Sequence, residues 1–520
     1  MSITPTIDSN YVDINSYTVE QQSVIKAEFD NILVVEAKAG TGKTHTLIGF
    51  AAARPHSKIL YLAYNSSIKE EAIQKFKHLK NNVTVKSTHG LAYGQFGVKY
   101  TKRFKEHGMK IPSLIYAEYC MDVDEENRYT YAYLISKLLK EFAYSKYTID
   151  EYLESLIENR DLFEAQHQVK LNYFLSKLEF IWEDIIENDD LPFEHDFYLK
   201  LYQLDNPYLE NYDYILLDEA QDSNSCVVDI VLQQTRTRKV FIGDTFQQIY
   251  SWRGAENSLA KMKEINGTMT LGLTKSFRCS CEIADIALNY LKICDSEQKF
   301  IGNENIHDDD LKYRDFAVIA RSNIQLFQYA AFETERKKLY FVGGFNSYKF
   351  YDLLDLVKLK YKKPHEEVAI SNPFYASFDS IEELKAYAES ANETEILTKI
   401  KVSLSVPNLS KELFDLKSRV VANKKDADII LTTAHKSKGL EWDHVQLLKG
   451  FIDLSNYKTK FNTEEINLLY VAITRAKKRL DSDTVLCNTN TINLNVKGDI
   501  YKVQCPIDEE IKYTLLSKYS

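Results

Sequence analysis

Residues Ile32 to Phe50 leave the fold little freedom. An apolar run, Ile32-Leu33-Val34-Val35, enters Ala37-Lys38-Ala39-Gly40-Thr41-Gly42-Lys43-Thr44, after which Leu47, Ile48 and Phe50 recur at helical spacing. Strand, tight turn and helix in that order call for a crossover to a neighbouring parallel strand, with helices covering the sheet. Gly40 and Gly42 let backbone N–H groups turn inward, and the helix N-terminus adds a field that favours an anion. This is the phosphate-loop pattern, with Ala37 where the strict form has its first glycine. Ala39, Gly40, Thr41 and Gly42 would wrap the phosphates of a nucleotide. Lys43 would reach the β- and γ-phosphates, and Thr44 would hold Mg²⁺.

The rest of the chain repeats the scheme. Short apolar runs at Ile59–Tyr64, Val83–Val85, Tyr214–Leu217 and Val240–Ile242 predict four more strands in the first half. The second half gives Phe316–Ala320, Tyr340–Val342, Ile429–Thr432 and Val445–Leu448. Two α/β units fit this pattern, and 520 residues exceed what one hydrophobic core usually supports. Between the third and fourth strands lies a glycine-poor stretch rich in Tyr, Leu, Lys and Glu, which reads as a helical insertion. A second insertion follows Tyr340–Val342.

Directly after Tyr214–Leu217 stands Asp218-Glu219-Ala220-Gln221-Asp222, so two carboxylates leave the C-terminal end of a buried strand, where open α/β sheets bind ligands. Such a run in isolation is better explained by an acidic turn that caps a helix. Behind a phosphate loop, Asp218 reads as the Mg²⁺ ligand and Glu219 as the group that orients and deprotonates an attacking water.

Composition closes off other classes. No stretch approaches the roughly 18 consecutive apolar residues of a membrane helix, and Met1 to Asn10 lacks signal-peptide order, so a cytoplasmic protein is expected, associated with the nucleoid in a bacterium or virus. Seven cysteines are too sparse for a disulfide scaffold, and no C-x-x-C pair offers half a zinc site. The net charge of -10 argues against coating nucleic acid by overall charge, yet a local basic groove stays open, because binding follows the distribution of charge. The lysine runs Lys358 to Lys363 and Lys477 to Arg479 read, by themselves, as solvated surface.

Further motifs occur in a fixed order. Tyr17-Thr18-Val19-Glu20-Gln21 precedes the phosphate loop, and Leu62-Ala63-Tyr64-Asn65 and Ser87-Thr88-His89-Gly90-Leu91-Ala92 follow it. After the D-E-A-Q-D come Gly243-Asp244-Thr245-Phe246-Gln247-Gln248-Ile249-Tyr250-Ser251-Trp252-Arg253-Gly254 and Thr274-Lys275-Ser276-Phe277-Arg278. The last are Thr433-Ala434-His435-Lys436-Ser437-Lys438-Gly439-Leu440-Glu441-Trp442 and Leu469-Tyr470-Val471-Ala472-Ile473-Thr474-Arg475-Ala476. In order and spacing the chain resembles the UvrD/Rep/PcrA class of superfamily 1 DNA helicases, and within it the helicase core of the F-box DNA helicases. Only 16 residues precede the first motif, so no F-box is expected.

The resemblance implies two RecA-like parallel-sheet P-loop domains, each with a mostly helical insertion. Residues 1–97 and 212–270 would form the first, with insertion 98–211, and residues 271–353 and 429–520 the second, with a reduced insertion 354–428. ATP and Mg²⁺ would bind in the cleft. Gln21 would read the adenine edge, Phe277 would stack on the ring and Glu441 would accept from the ribose. Gln247 would sense the γ-phosphate, while Arg278 and Arg475 would act as arginine fingers that stabilise charge on the transferring phosphoryl group. Single-stranded DNA would stack on Tyr64, Tyr250 and Trp252, with Arg253, His89 and His435 at its backbone or bases.

By the same resemblance the activity would be 3′ to 5′ translocation and unwinding, at single-strand/double-strand junctions, in repair, recombination or replication. Two alternatives remain. One is a motor that strips proteins or feeds a partner nuclease or repair factor. The other is a non-hydrolysing nucleotide-dependent clamp, which would have no use for the full set Glu219, Gln247, Arg278 and Arg475.

Overall fold

The computed structural model describes residues 14–107, 115–191, 193–250, 254, 257–295, 297–308, 315–363, 368–390, 393–454, 462–483, 491–496 and 499–504. The chain divides into two compact units. One comprises Met1–Glu36, Lys43–Thr245 and Tyr250–Gly272, and the other Ala37–Gly42, Phe246–Ile249 and Leu273–Ser520.

The first unit is built on β1 (Ile32–Ala37), β2 (Ile59–Ala63), β3 (Val83–Ser87), β4 (Tyr214–Leu217), β5 (Arg238–Gly243) and β6 (Met269–Leu273). They lie in the order β3-β2-β4-β5-β1-β6. The pairs β2–β3, β2–β4, β4–β5 and β1–β5 are parallel. Every residue of β2 and β4 is buried, as in strands covered on both faces, which is why they read as unbroken apolar runs. Side-chain oxygens begin the helices: Asn65 caps Ser66–Lys75, Ser87 caps Thr88–Tyr93 and Asn224 caps Ser225–Leu232.

Between β3 and β4 the described chain is helical, with Glu125–Tyr144, Leu171–Glu187 and His195–Leu204 as main elements. Their Phe142, Phe174, Trp182 and Phe197 belong to the same hydrophobic cluster as Val34, Leu62, Ile215 and Phe241 of the sheet. These helices and the sheet therefore share a core.

The second unit carries β7 (Lys275–Ser280) paired with β8 (Ile301–Asn303), and a five-stranded sheet. That sheet consists of β9 (Phe316–Ala320), β10 (Leu339–Phe341), β11 (Ile429–Thr433), β12 (Trp442–Leu447) and β13 (Ala476–Ser482), in the order β10-β11-β9-β12-β13 with all pairs parallel. Among the described residues five helices between Asp352 and Ser418 fill the stretch from β10 to β11, and Leu356, Leu384, Leu413 and Leu416 share a core with Val318 and Leu431. A hairpin of β14 (Thr491–Val496) and β15 (Asp499–Gln504) follows.

All nine strands expected from the sequence are present, with ends displaced by a few residues. Strands β6, β7, β8 and β13 and the hairpin were not foreseen. The run Lys477 to Arg479, read as solvated surface, is an edge strand that stays partly exposed, and on it Lys477 and Lys478 pair with Asp443 at 2.8 and 3.3 Å. Among the described residues Cys120, Cys226, Cys279, Cys281 and Cys294 are free thiols. No helix among the described residues is long and apolar enough to cross a membrane.

Candidate functional site

In the first unit, helix Lys43–Ala52 starts where the phosphate loop ends, and β4 delivers its two carboxylates to the same place. Lys43 Nζ lies 3.1 Å from Glu219 Oε1 and 3.2 Å from Oε2. Thr44 Oγ1 donates to Asp218 Oδ2 at 3.5 Å. The four residues assigned to phosphate, metal and water are thus side by side. Burial alone would lower the pKa of Lys43, but the charges of Glu219, Asp218 and Asp244 outweigh it and hold the ammonium protonated. Asp218, 2% exposed, has its carboxyl pKa pushed up by burial first and by the charge of Glu219 second. Glu219 adopts φ +51°, a left-handed conformation that a glutamate keeps only where its surroundings impose it.

Two residues without an assigned role complete this cluster. The hydroxyl of Tyr61, fully buried in β2, donates to Asp218 Oδ2. Gln221 Nε2 donates to Glu219 Oε2 at 2.6 Å. Tyr61 reads in the sequence as one more apolar strand residue, and nothing there marks it; Gln221 stands inside the recognised run but has no chemistry of its own.

The adenine candidate Gln21 is 2% exposed and locked in a capping box: its Oε1 accepts from Thr18 N at 3.1 Å, and Thr18 Oγ1 accepts from Gln21 N at 3.2 Å. Beside it in sequence, the Tyr17 ring stacks on His45 with centroids 4.6 Å apart and 17° between planes. His45, one turn into the helix behind the loop, was missed because a lone histidine carries little signal.

In the second unit, the segment Ala37–Gly42 is held by backbone contacts. Lys38 N donates to Leu273 O at 3.0 Å, Ala39 N to the Tyr470 hydroxyl at 3.1 Å, and Phe277 N to Gly40 O at 2.8 Å. Thr41 Oγ1 donates to Lys38 O at 2.8 Å. Gly40 at φ +71° is required twice over, since a Cβ would also stand 2.5 Å from the Cβ of Arg278. Strand β7 leaves Phe277 47% exposed, so its ring is open to a ligand.

Arg278 Nε donates to Glu441 Oε2 at 2.7 Å, which brings the finger candidate and the ribose candidate together as an ion pair. Arg475 is 1% exposed. It donates from Nε to Val471 O at 2.8 Å, from Nη1 to Leu440 O at 3.1 Å and from Nη2 to Thr474 Oγ1 at 3.1 Å. Gln247 is 4% exposed, and its backbone carbonyl accepts from Lys438 Nζ at 2.7 Å.

Of the candidate DNA residues, Tyr64 and Tyr250 form a near-parallel pair in the first unit, with centroids 5.9 Å apart and 13° between planes. His89 Nε2 instead engages Asp196 Oδ1 of the helical insertion at 3.0 Å. His435, in the second unit, is half-buried, and burial followed by the charge of Arg321 lowers its pKa. Trp252 and Arg253 lie outside the described residues.

Residues 17–265 match the UvrD/REP helicase N-terminal domain, and residues 358–481 match the UvrD-like helicase C-terminal domain. The chain belongs to the UvrD-like helicases. It is 30% identical over 504 residues to F-box DNA helicase 1 of Gallus gallus, covering 89% of this chain and 48% of that protein. It is 31% identical over 532 residues to F-box DNA helicase protein 1 of Schizosaccharomyces pombe, covering 92% and 59% respectively. DNA helicase II of Rickettsia typhi is 25% identical over 284 residues, covering 50% of this chain and 42% of that protein. The chain therefore spans about half the length of the curated relatives it matches. Membership in this family accounts for the two α/β units and for the order of the motifs along them.

Proposed function

We propose that this UvrD-like helicase chain is an ATP-driven DNA motor that moves 3′ to 5′ along single-stranded DNA and separates strands at single-strand/double-strand junctions. The observation that carries the reading is the cluster at the end of β4, where Lys43 bonds to Glu219 and, beside them, Thr44 bonds to Asp218. An ammonium at the end of a phosphate loop and a carboxylate beside it are what hydrolysis of a phosphoanhydride uses. Glu219 takes a proton from water while the water oxygen bonds to the γ-phosphorus; the bond from that phosphorus to the bridging oxygen breaks, and ADP departs with the electron pair.

Mg²⁺ fits the donors present. Thr44 Oγ1 and Asp218 Oδ2 are hard oxygens 3.5 Å apart, and burial and the charge of Glu219, which raise the Asp218 carboxyl pKa, are a cost that a bound cation would offset. When bound, the ion neutralises charge on the phosphates. Gln21 and Phe277 are assigned to adenine, Glu441 to the ribose, and Gln247, Arg278 and Arg475 to the γ-phosphate. Because Lys43 and Arg278 are ion-paired to Glu219 and Glu441, each is expected to exchange its carboxylate for phosphate when ATP arrives. The Tyr64 and Tyr250 rings offer faces of the kind on which bases stack and slide.

The test is phosphate release with and without a single-stranded oligonucleotide, in the native chain and in Glu219→Gln. The variant should bind ATP but turn over at least ~100-fold more slowly. Near-normal turnover would falsify the role of Glu219. A forked duplex beside a streptavidin-blocked strand then separates unwinding from the stripping of bound protein.

A further inference from the structure

Gln221 is fully buried, and both ends of its amide are engaged. Nε2 donates to Glu219 Oε2 at 2.6 Å, and Oε1 accepts from the backbone N–H of Asp244 at 3.1 Å. The space for it is made by Gly243, where a Cβ would stand 2.1 Å from Gln221 Oε1. The position thus needs a donor on one side and an acceptor on the other, a polarity that an amide has and neither a carboxylate nor an alkyl chain reproduces. Glu219 needs such a hold because its φ of +51° sets it outside regular helix or strand. Lys43 also grips its carboxylate, but in the reaction proposed above Lys43 turns to the phosphates. The amide is a partner that does not have to leave. Its other end rests on Asp244, just past β5, from which the chain runs directly to Gln247.

We propose that Gln221 is a positioning residue that fixes the Glu219 carboxylate for the attacking water and registers it against the end of β5. This rests on the reading of Glu219 as the group that activates water.

The experiment uses the full chain with Gln221→Glu, which keeps an acceptor for Asp244 N but loses the donor, and Gln221→Met, which keeps neither. At saturating ATP and oligonucleotide, kcat should fall about 10- to 100-fold, the scale of a misplaced catalytic group. Affinity for a fluorescent ATP analogue should stay within about threefold, since only turnover depends on the water. Placed on top of Glu219→Gln, Gln221→Met should slow turnover by less than about threefold, because both changes remove the same function.

A kcat close to native, or an effect that multiplies in full in the double variant, overturns the proposal. So does a loss of nucleotide binding together with a lowered melting temperature in both variants, which makes Gln221 a folding residue. Failure of the underlying reading is seen separately: the native chain then releases no phosphate, or Glu219→Gln matches it, whatever Gln221 does.

Discussion

Arg475→Ala should cost the protein both its fold margin and its turnover, and the structure allows the two to be sized apart. The guanidinium is 1% exposed and donates to Val471 O, Leu440 O and Thr474 Oγ1 at 2.8, 3.1 and 3.1 Å. A hydrogen bond from a charged group contributes about 1.5–3 kcal/mol, but three from one rigid fork are not independent, and burying the cation offsets part of the gain. Truncation that leaves two buried carbonyls and a hydroxyl without this donor should cost about 3–5 kcal/mol. For a unit of this size each kcal/mol moves the midpoint by about 2–4 °C, so the melting temperature should drop roughly 6–20 °C. Loss of an arginine finger should separately lower turnover by about 10³-fold. The assay is calorimetry on the variant, then phosphate release at least ~15 °C below its midpoint, where the folded form prevails. Arg475→Lys serves as control, since one ammonium cannot span three acceptors fixed by a planar fork. A melting temperature within ~2 °C of native refutes the anchoring argument. Turnover within about tenfold of native in the folded variant refutes the finger.

Tyr64→Ala removes one face of the Tyr64–Tyr250 pair and should weaken binding of an oligothymidine about 5- to 150-fold, with DNA-free ATPase unchanged; equal affinity in a fluorescence-anisotropy titration sinks the stacking role. Lys200 is fully buried, donates to Ser145 O, Tyr147 O and Gln203 Oε1, and has its pKa lowered by burial to about 8. Between pH 8 and the ordinary lysine value of 10.5 the unfolded chain binds a proton that the folded chain releases, so stability relative to Lys200→Met should rise with pH across that window and stay flat below it. Thermal melts of the two proteins that run parallel through pH 8 to 10 would show that Lys200 stays charged.

What the sequence discloses, and what it hides, follows from how strongly chemistry restricts residue type. The clustering of Lys43, Thr44, Asp218 and Glu219 was legible because a phosphate-loop pattern and a paired-carboxylate run each restrict residue type, and the strand before each pair fixes where it emerges. Strands β2 and β4 were legible because burial on both faces leaves only apolar residues. Strand β13 was not, since an edge strand tolerates charge and its Lys477 and Lys478 find their partner, Asp443, in β12. The supporting groups around the site are hidden for another reason. Tyr61 looks like any core tyrosine and Arg475 like a residue with one task, because a hydrogen bond to a neighbouring carboxylate or carbonyl is defined by three-dimensional placement and by no local pattern. The positive φ of Glu219 belongs to the same class: a glutamate shows no preference for it, and Lys43, Gln221 and the turn out of β4 help to hold it there. A site of this kind is therefore read from sequence at the atoms that react and from structure at the atoms that hold them, and it is in the second group that substitutions should alter rate while leaving nucleotide affinity unchanged.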